Sequence, residues 1–139
     1  MGEVAWSPVV AGLRLGGAAD GDTVTFTLQN AGPQELTVLS HVDVGEIHLD
    51  WYTVLLGSSR TLRFVGDRDE SAVERARLVP GGSLTHTADL RHWAGRPVNG
   101  GAPLPTGPLV LRCRYEVDAA TAATFGGVWS GSVTTPQFG

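Results

Sequence analysis

Lysine is absent from this 139-residue chain: all ten of its basic residues are arginine, set against fourteen acidic ones for a net charge of −4. An acidic chain without a basic cluster excludes nucleic acid as the main partner, because phosphate binding needs concentrated Lys or Arg. Arg60, Arg63 and Arg68 come nearest to a basic patch, but Asp67, Asp69 and Glu70 neutralise it. Cysteine occurs once, at Cys113, which excludes an intramolecular disulfide. No apolar run approaches the ~20 residues that a membrane-spanning helix needs. The opening Met1-Gly2-Glu3-Val4-Ala5-Trp6 lacks a basic region followed by an apolar core, so it does not read as a signal peptide. The expected location is cytoplasmic, or secreted if a leader has been removed. Also missing are a His-Glu-x-x-His pair, a Gly-x-Ser-x-Gly elbow and any internal repeat.

Glycine and proline are plentiful, at nineteen and eight, which favours short elements and many turns. The length fits one domain over residues 1–139, large enough to bury roughly 68–70% of its unfolded surface without a disulfide or metal. Period-two alternation of apolar and polar residues marks half-buried strands. It is clearest over 23–30, with Val24, Phe26 and Leu28 inward, and over 83–90 and 109–117, where Leu84, Leu111, Cys113 and Tyr115 share the core face. Further strands are expected over 9–15, 36–42, 62–65, 73–79 and 129–135, with Val38 also in the core. Glycines 16, 17 and 21 are expected in a turn. The stretch 48–56 is apolar on both faces, as a central strand or an interface would be. Residues 91–93 suit one helical turn, and 119–127 reads as a small-residue loop. The whole is an all-β, antiparallel β-sandwich of eight or nine strands of immunoglobulin-like type.

Particular phrases carry a resemblance. Thr25-Phe26-Thr27-Leu28-Gln29-Asn30-Ala31-Gly32, followed by Leu36-Thr37-Val38-Leu39, resembles the strand, Asn-x-Gly, strand opening of bacterial immunoglobulin-like domains. Leu78-Val79-Pro80-Gly81-Gly82-Ser83, then Thr87-Ala88-Asp89-Leu90, then Gly107 ahead of Arg114-Tyr115, resembles the non-catalytic pro-region of deuterolysin-type metallopeptidases. The same stretch, about residues 22–118, is similar to the intracellular proteinase inhibitors of bacteria. The resemblance implies a sandwich that stands without a catalytic domain. It rests on turns and core positions, so no inhibitory residue is carried over.

Three constellations hold potential chemistry. His41, Asp43, Glu46, His48 and Asp50 are the densest group of metal-ligand types, with His41 and His48 the candidate ligands across a strand–turn–strand. Their spacing fits no established rule, and a solvated hairpin tip with ordinary polar residues is the plainer explanation. Ser83, His86 and Asp89 form a triad only on paper, since alternation sets His86 and Asp89 on opposite faces. Trp51, Tyr52, Trp93 and Trp129 could make an aromatic sugar platform, with Trp93 the best candidate for exposure; core packing is the plainer role.

The long connection over 94–108 is the outstanding feature. Gly100, Gly101, Pro103, Pro105 and Gly107 prevent regular structure while stiffening the backbone. Trp93, Arg96, Val98, Asn99 and Leu104 are its candidate binding residues; alternatively, Val98 and Leu104 tuck the loop over an open sandwich end. The reading is a non-enzymatic module without cofactor that binds another protein, or a second copy of itself, as a peptidase inhibitor or an assembly subunit would. A carbohydrate-binding module and a metal-dependent enzyme centred on His41 and His48 are the alternatives.

Overall fold

Alternation decides the central strand. Residues 3–42, 51–57, 60–63, 73–105, 107 and 109–139 are described by a computed structural model, with the backbone alone at 40–42, 73, 74 and 98. In strand β3 (Thr23–Asn30) every second residue is buried, so Val24, Phe26 and Leu28 face inward. β2 (Leu13–Asp20) and β8 (Ser83–Asp89) flank it antiparallel, and the two-residue β1 (Ala5–Trp6) lies outside β2. A second antiparallel sheet runs in the order β10 (Gly131–Thr134), β9 (Leu111–Val117), β5 (Tyr52–Leu56), β6 (Arg60–Arg63). β4 (Leu36–Val42) and β7 (Val73–Leu78) pair as a third, two-stranded sheet. The architecture is an all-β antiparallel sandwich.

The core lies between the inner faces of the two four-stranded sheets. The Phe26 ring meets Tyr52 edge-on at 5.1 Å, and Tyr52 in turn lies 5.2 Å from Tyr115 and 5.1 Å from His86. The Tyr115 hydroxyl donates to the Leu39 carbonyl at 2.7 Å, and the Trp129 backbone N–H donates to Thr37 at 2.8 Å, which ties β4 to the second sheet. Of the expected core, Val24, Phe26, Leu28, Val38, Leu111, Cys113 and Tyr115 are buried; Leu84, near one end of an edge strand, is half-buried. β5 is central, and Trp51, Tyr52, Thr53, Val54 and Leu56 are all buried. The start of the 48–56 strand and residues 64 and 65 lie outside the described residues.

Asn30 explains the Asn-x-Gly signal. Its buried side chain donates to the carbonyls of Gln34 at 2.7 Å and Leu78 at 2.8 Å, and accepts from the Gly32 N–H at 3.0 Å. A buried amide with its partners filled fixes both the β3–β4 turn and the approach of β7.

Two expectations are corrected. The first strand does not run over 9–15: Ala11 and Gly12 take left-handed backbone (φ 48° and 84°), and the strand starts at Leu13. Gly16 and Gly17 therefore lie within β2 and not in a turn. A Cβ at Gly16 would stand 2.7 Å from Val4 Cγ1, and one at Gly17 would stand 2.6 Å from the Phe138 ring. Close approach, not turn geometry, explains these two glycines. The segment over 119–127 is also not all loop. Ala119–Thr124 forms helix α2, capped by the Asp118 carboxylate accepting from the Thr121 N–H at 2.7 Å. Alanine-rich composition and an aspartate cap favour a helix there.

Candidate binding surface at the loop end

The sandwich has two ends. One carries the β2–β3 turn, the exit of β8 and the long connection; the other carries the turns at 11–12, 31–34 and 79–82. At the first end, Asp89 closes β8 and opens the short helix α1 (Leu90–Ala94), its carboxylate accepting from the backbone N–H groups of Arg91 at 3.0 Å and His92 at 3.3 Å. That cap sets the helix phase and turns Leu90, Trp93 and Ala94 inward. Trp93 is 3% exposed and stacks on Phe26 at 6.2 Å. The expectation that Trp93 stands exposed at the loop entrance is corrected: its indole completes the core.

Beyond α1 the chain makes one 3-10 turn over Pro97–Asn99. Asn99 then acts as a substitute strand. Its side-chain oxygen accepts the Arg63 backbone N–H at 2.7 Å, and its amide donates to the Arg63 carbonyl at 3.0 Å and the Trp93 carbonyl at 2.8 Å. One amide thus covers backbone groups at the free edge of β6, which would otherwise invite another chain. Arg60 clamps the following residues, donating to the carbonyls of Ala102 at 2.7 Å and Pro103 at 3.1 Å. Leu104 is half-buried against the core, and Arg96 is half-buried ahead of the 3-10 turn. The side chain of Val98 lies outside the described residues.

The pinned loop walls a cleft of about 600 Å³ against α1 and the β2–β3 turn. Pro103, Leu104, Pro105 and Gly107 line it together with Asp22 and Arg91. Arg91 donates to Asp22 at 2.6 Å; the arginine is 80% exposed, so water and salt screen the pair. Asn99 therefore holds the loop from beneath, while Leu104, the prolines, Gly107 and the Asp22–Arg91 pair face the cleft. Reasoning from sequence missed Arg60, Asp22 and Arg91, because their place at the loop depends on sheet pairing between distant segments.

Among the described residues the other constellations are not assembled as chemistry. Ser83 and Asp89 sit at opposite ends of β8, roughly 20 Å apart at strand rise. Asp89 is engaged as a helix cap, and His86 stacks on Tyr52 between the sheets. Among the described residues no three His, Cys, Asp or Glu side chains gather as metal ligands; His48 and the side chain of His41 lie outside them. Trp51 and Trp129 are buried at 4% and 7% exposure, and the half-buried Trp6 lies under the Arg14 guanidinium at 4.0 Å. Burial holds the Cys113 thiol and the Tyr52 and Tyr115 hydroxyls well above their ordinary pKa values, so all three stay protonated. Among the described residues no helix is long and apolar enough to cross a membrane. No family model, curated protein or solved structure matches the chain.

Proposed function

We propose that the chain is a non-enzymatic module that recognises another protein through the loop end of the sandwich. One observation carries the reading: Asn99 and Arg60 pin residues 99–103 of the long connection beside an open cleft. A loop held in place before binding loses little conformational entropy when it binds, so its contacts convert more fully into affinity. The walls suit an apolar side chain of the partner on Leu104 and the prolines, with polar contacts at Asp22 and Arg91. The immunoglobulin-like class and a role as peptidase inhibitor or assembly subunit belong to the same reading, through the resemblance noted in the sequence. Trp93 is buried against Phe26, which favours the protein-binding reading over one in which its indole meets a sugar.

The test is site-specific photocrosslinking in the native host. A crosslinking residue replaces Pro105 at the loop end or Val79, which is 57% exposed at the opposite end. A discrete protein adduct from position 105 and none from position 79 is expected. Adducts from 79 alone, or the same adducts from both, would overturn the assignment of the loop end. The captured protein would then be tested directly as a peptidase.

A further inference from the structure

We propose that Asn99-Gly100 is a modification site: when the long connection opens, Asn99 deamidates to aspartate or isoaspartate, and the loop no longer recloses as it was. The chain has two asparagines, Asn30 and Asn99, and only Asn99 precedes a glycine. Deamidation at such a pair is intramolecular. The backbone nitrogen of the following residue attacks the side-chain carbonyl carbon, and a glycine, without a Cβ, leaves that nitrogen open to approach. Gly100 is exposed on left-handed backbone (φ 87°), with nothing within 4 Å of where its Cβ would stand.

The step needs water and no other reactant. The Gly100 nitrogen gives up its proton, and its electron pair forms a bond to Asn99 Cγ. The Cγ–Nδ2 bond breaks, and Nδ2 leaves as ammonia with that proton. Water then opens the cyclic imide. Opening at Cγ restores the backbone with aspartate at 99; opening at the backbone carbonyl leaves the chain running through the side chain, as isoaspartate. Either product replaces an amide that donates with a carboxylate that only accepts when ionised.

The closed loop blocks this step at both reacting groups. The Gly100 N–H donates to the Pro97 carbonyl at 3.0 Å. The Asn99 amide donates to the carbonyls of Arg63 at 3.0 Å and Trp93 at 2.8 Å. The reaction consumes both donor groups, so these bonds must be given up before it runs. Protection is therefore the clamp itself, and it lapses whenever the clamp opens. After conversion the Arg63 and Trp93 carbonyls face oxygen in place of N–H, and two acceptors lose their donor. Asn30 is the contrast: it is 0% exposed, donates to Gln34 and Leu78, and precedes Ala31. What the site regulates rests on the loop-end reading; the reaction itself does not.

The experiment incubates the full chain in neutral buffer and follows residues 30 and 99 over time by peptide mapping with mass spectrometry. A synthetic peptide of residues 95–103 in the same buffer gives the unrestrained rate. Asn99 should convert at least about tenfold more slowly in the folded chain than in the peptide, because the reaction tracks the open fraction, and Asn30 should not convert. Arg60→Ala, which loosens the loop without altering either reacting residue, should move the folded rate toward that of the peptide. Asn99→Asp, one product made directly, should be cut in the loop by a protease sooner than the unaltered chain. The comparison of unaltered chain with peptide decides even if a variant folds poorly. Equal rates in chain and peptide, an unchanged rate in Arg60→Ala, or an Asn99→Asp loop as resistant as the unaltered one would overturn the proposal. Conversion as expected with no adduct from position 105 would keep the site and remove the loop-end reading; an adduct from 105 with Asn99 unprotected would do the reverse.

Discussion

Cys113 shows how much a single residue discloses. Its place between Leu111 and Tyr115 in an alternating run marks it as inward, and its exposure is 0%. Burial raises the thiol's pKa, so the reactive thiolate is scarce at neutral pH. The native chain should therefore react with a thiol reagent such as DTNB only as fast as it opens, and fully once denatured; rapid labelling of the folded protein would contradict the placement of β9. Trp93 was legible only by type. Its direction depends on the phase of α1, and that phase is set by Asp89 accepting from two backbone N–H groups and by the space above Phe26. Neither is visible as a local pattern, because one is a cap and the other a tertiary contact.

At the scale of elements, alternation placed β3, β4, β8 and β9, while the short elements needed more than pattern. β2 begins late because Ala11 and Gly12 turn the chain, and a run that looks like a turn became strand because two other segments press on its glycines. The loop end was legible as an unusually long connection, but its clamp was not, since Arg60 and Asn99 meet only after β6 has paired with β5. Asn99→Ala removes bonds to the backbone of both Arg63 and Trp93. It should lower stability by about 1–3 kcal/mol and open the loop to limited proteolysis, measured by denaturant unfolding and by mapping the cleavage sites. Arg60→Ala should loosen the loop with a smaller loss of stability, because its guanidinium bonds only loop carbonyls, whereas Asn99 also holds Arg63 and the buried Trp93.

Helix α2 adds a dependence on pH. The Thr121 backbone N–H bonded to Asp118, reinforced by the Thr121 side chain, holds the Asp118 carboxyl below its ordinary value of 3.8. A carboxyl depressed by folding contributes stability above its unfolded pKa and loses that contribution as pH falls through the folded one. Amide exchange in α2, corrected for its intrinsic pH dependence, should show less protection in acid than at neutral pH. Asp118→Asn, which keeps a capping oxygen without titrating, should flatten that change.

The whole molecule is held at its centre by close approach on opposite faces of one strand. Gly16 receives Val4 and Trp6 on the outside of β2, and Gly17 receives Phe138 on the inside. Gly17→Ala should cost about 1–3 kcal/mol by overpacking, and the loss should shrink in Gly17→Ala/Phe138→Ala because the clash is relieved; additive costs in a double-mutant cycle would show that the two do not share a site. Phe138 is also joined backbone to backbone with Leu111, both N–H groups donating at 2.8 Å. During synthesis, then, a strand near residue 17 waits for residue 138 before its inner surface is closed. The ribosome delivers residues at about 5–20 per second, so that surface stays open for several seconds after β2 emerges. For that interval Leu13 and Leu15 stand open to water, because β2–β3 pairing joins strand edges and leaves the inner face of β2 uncovered.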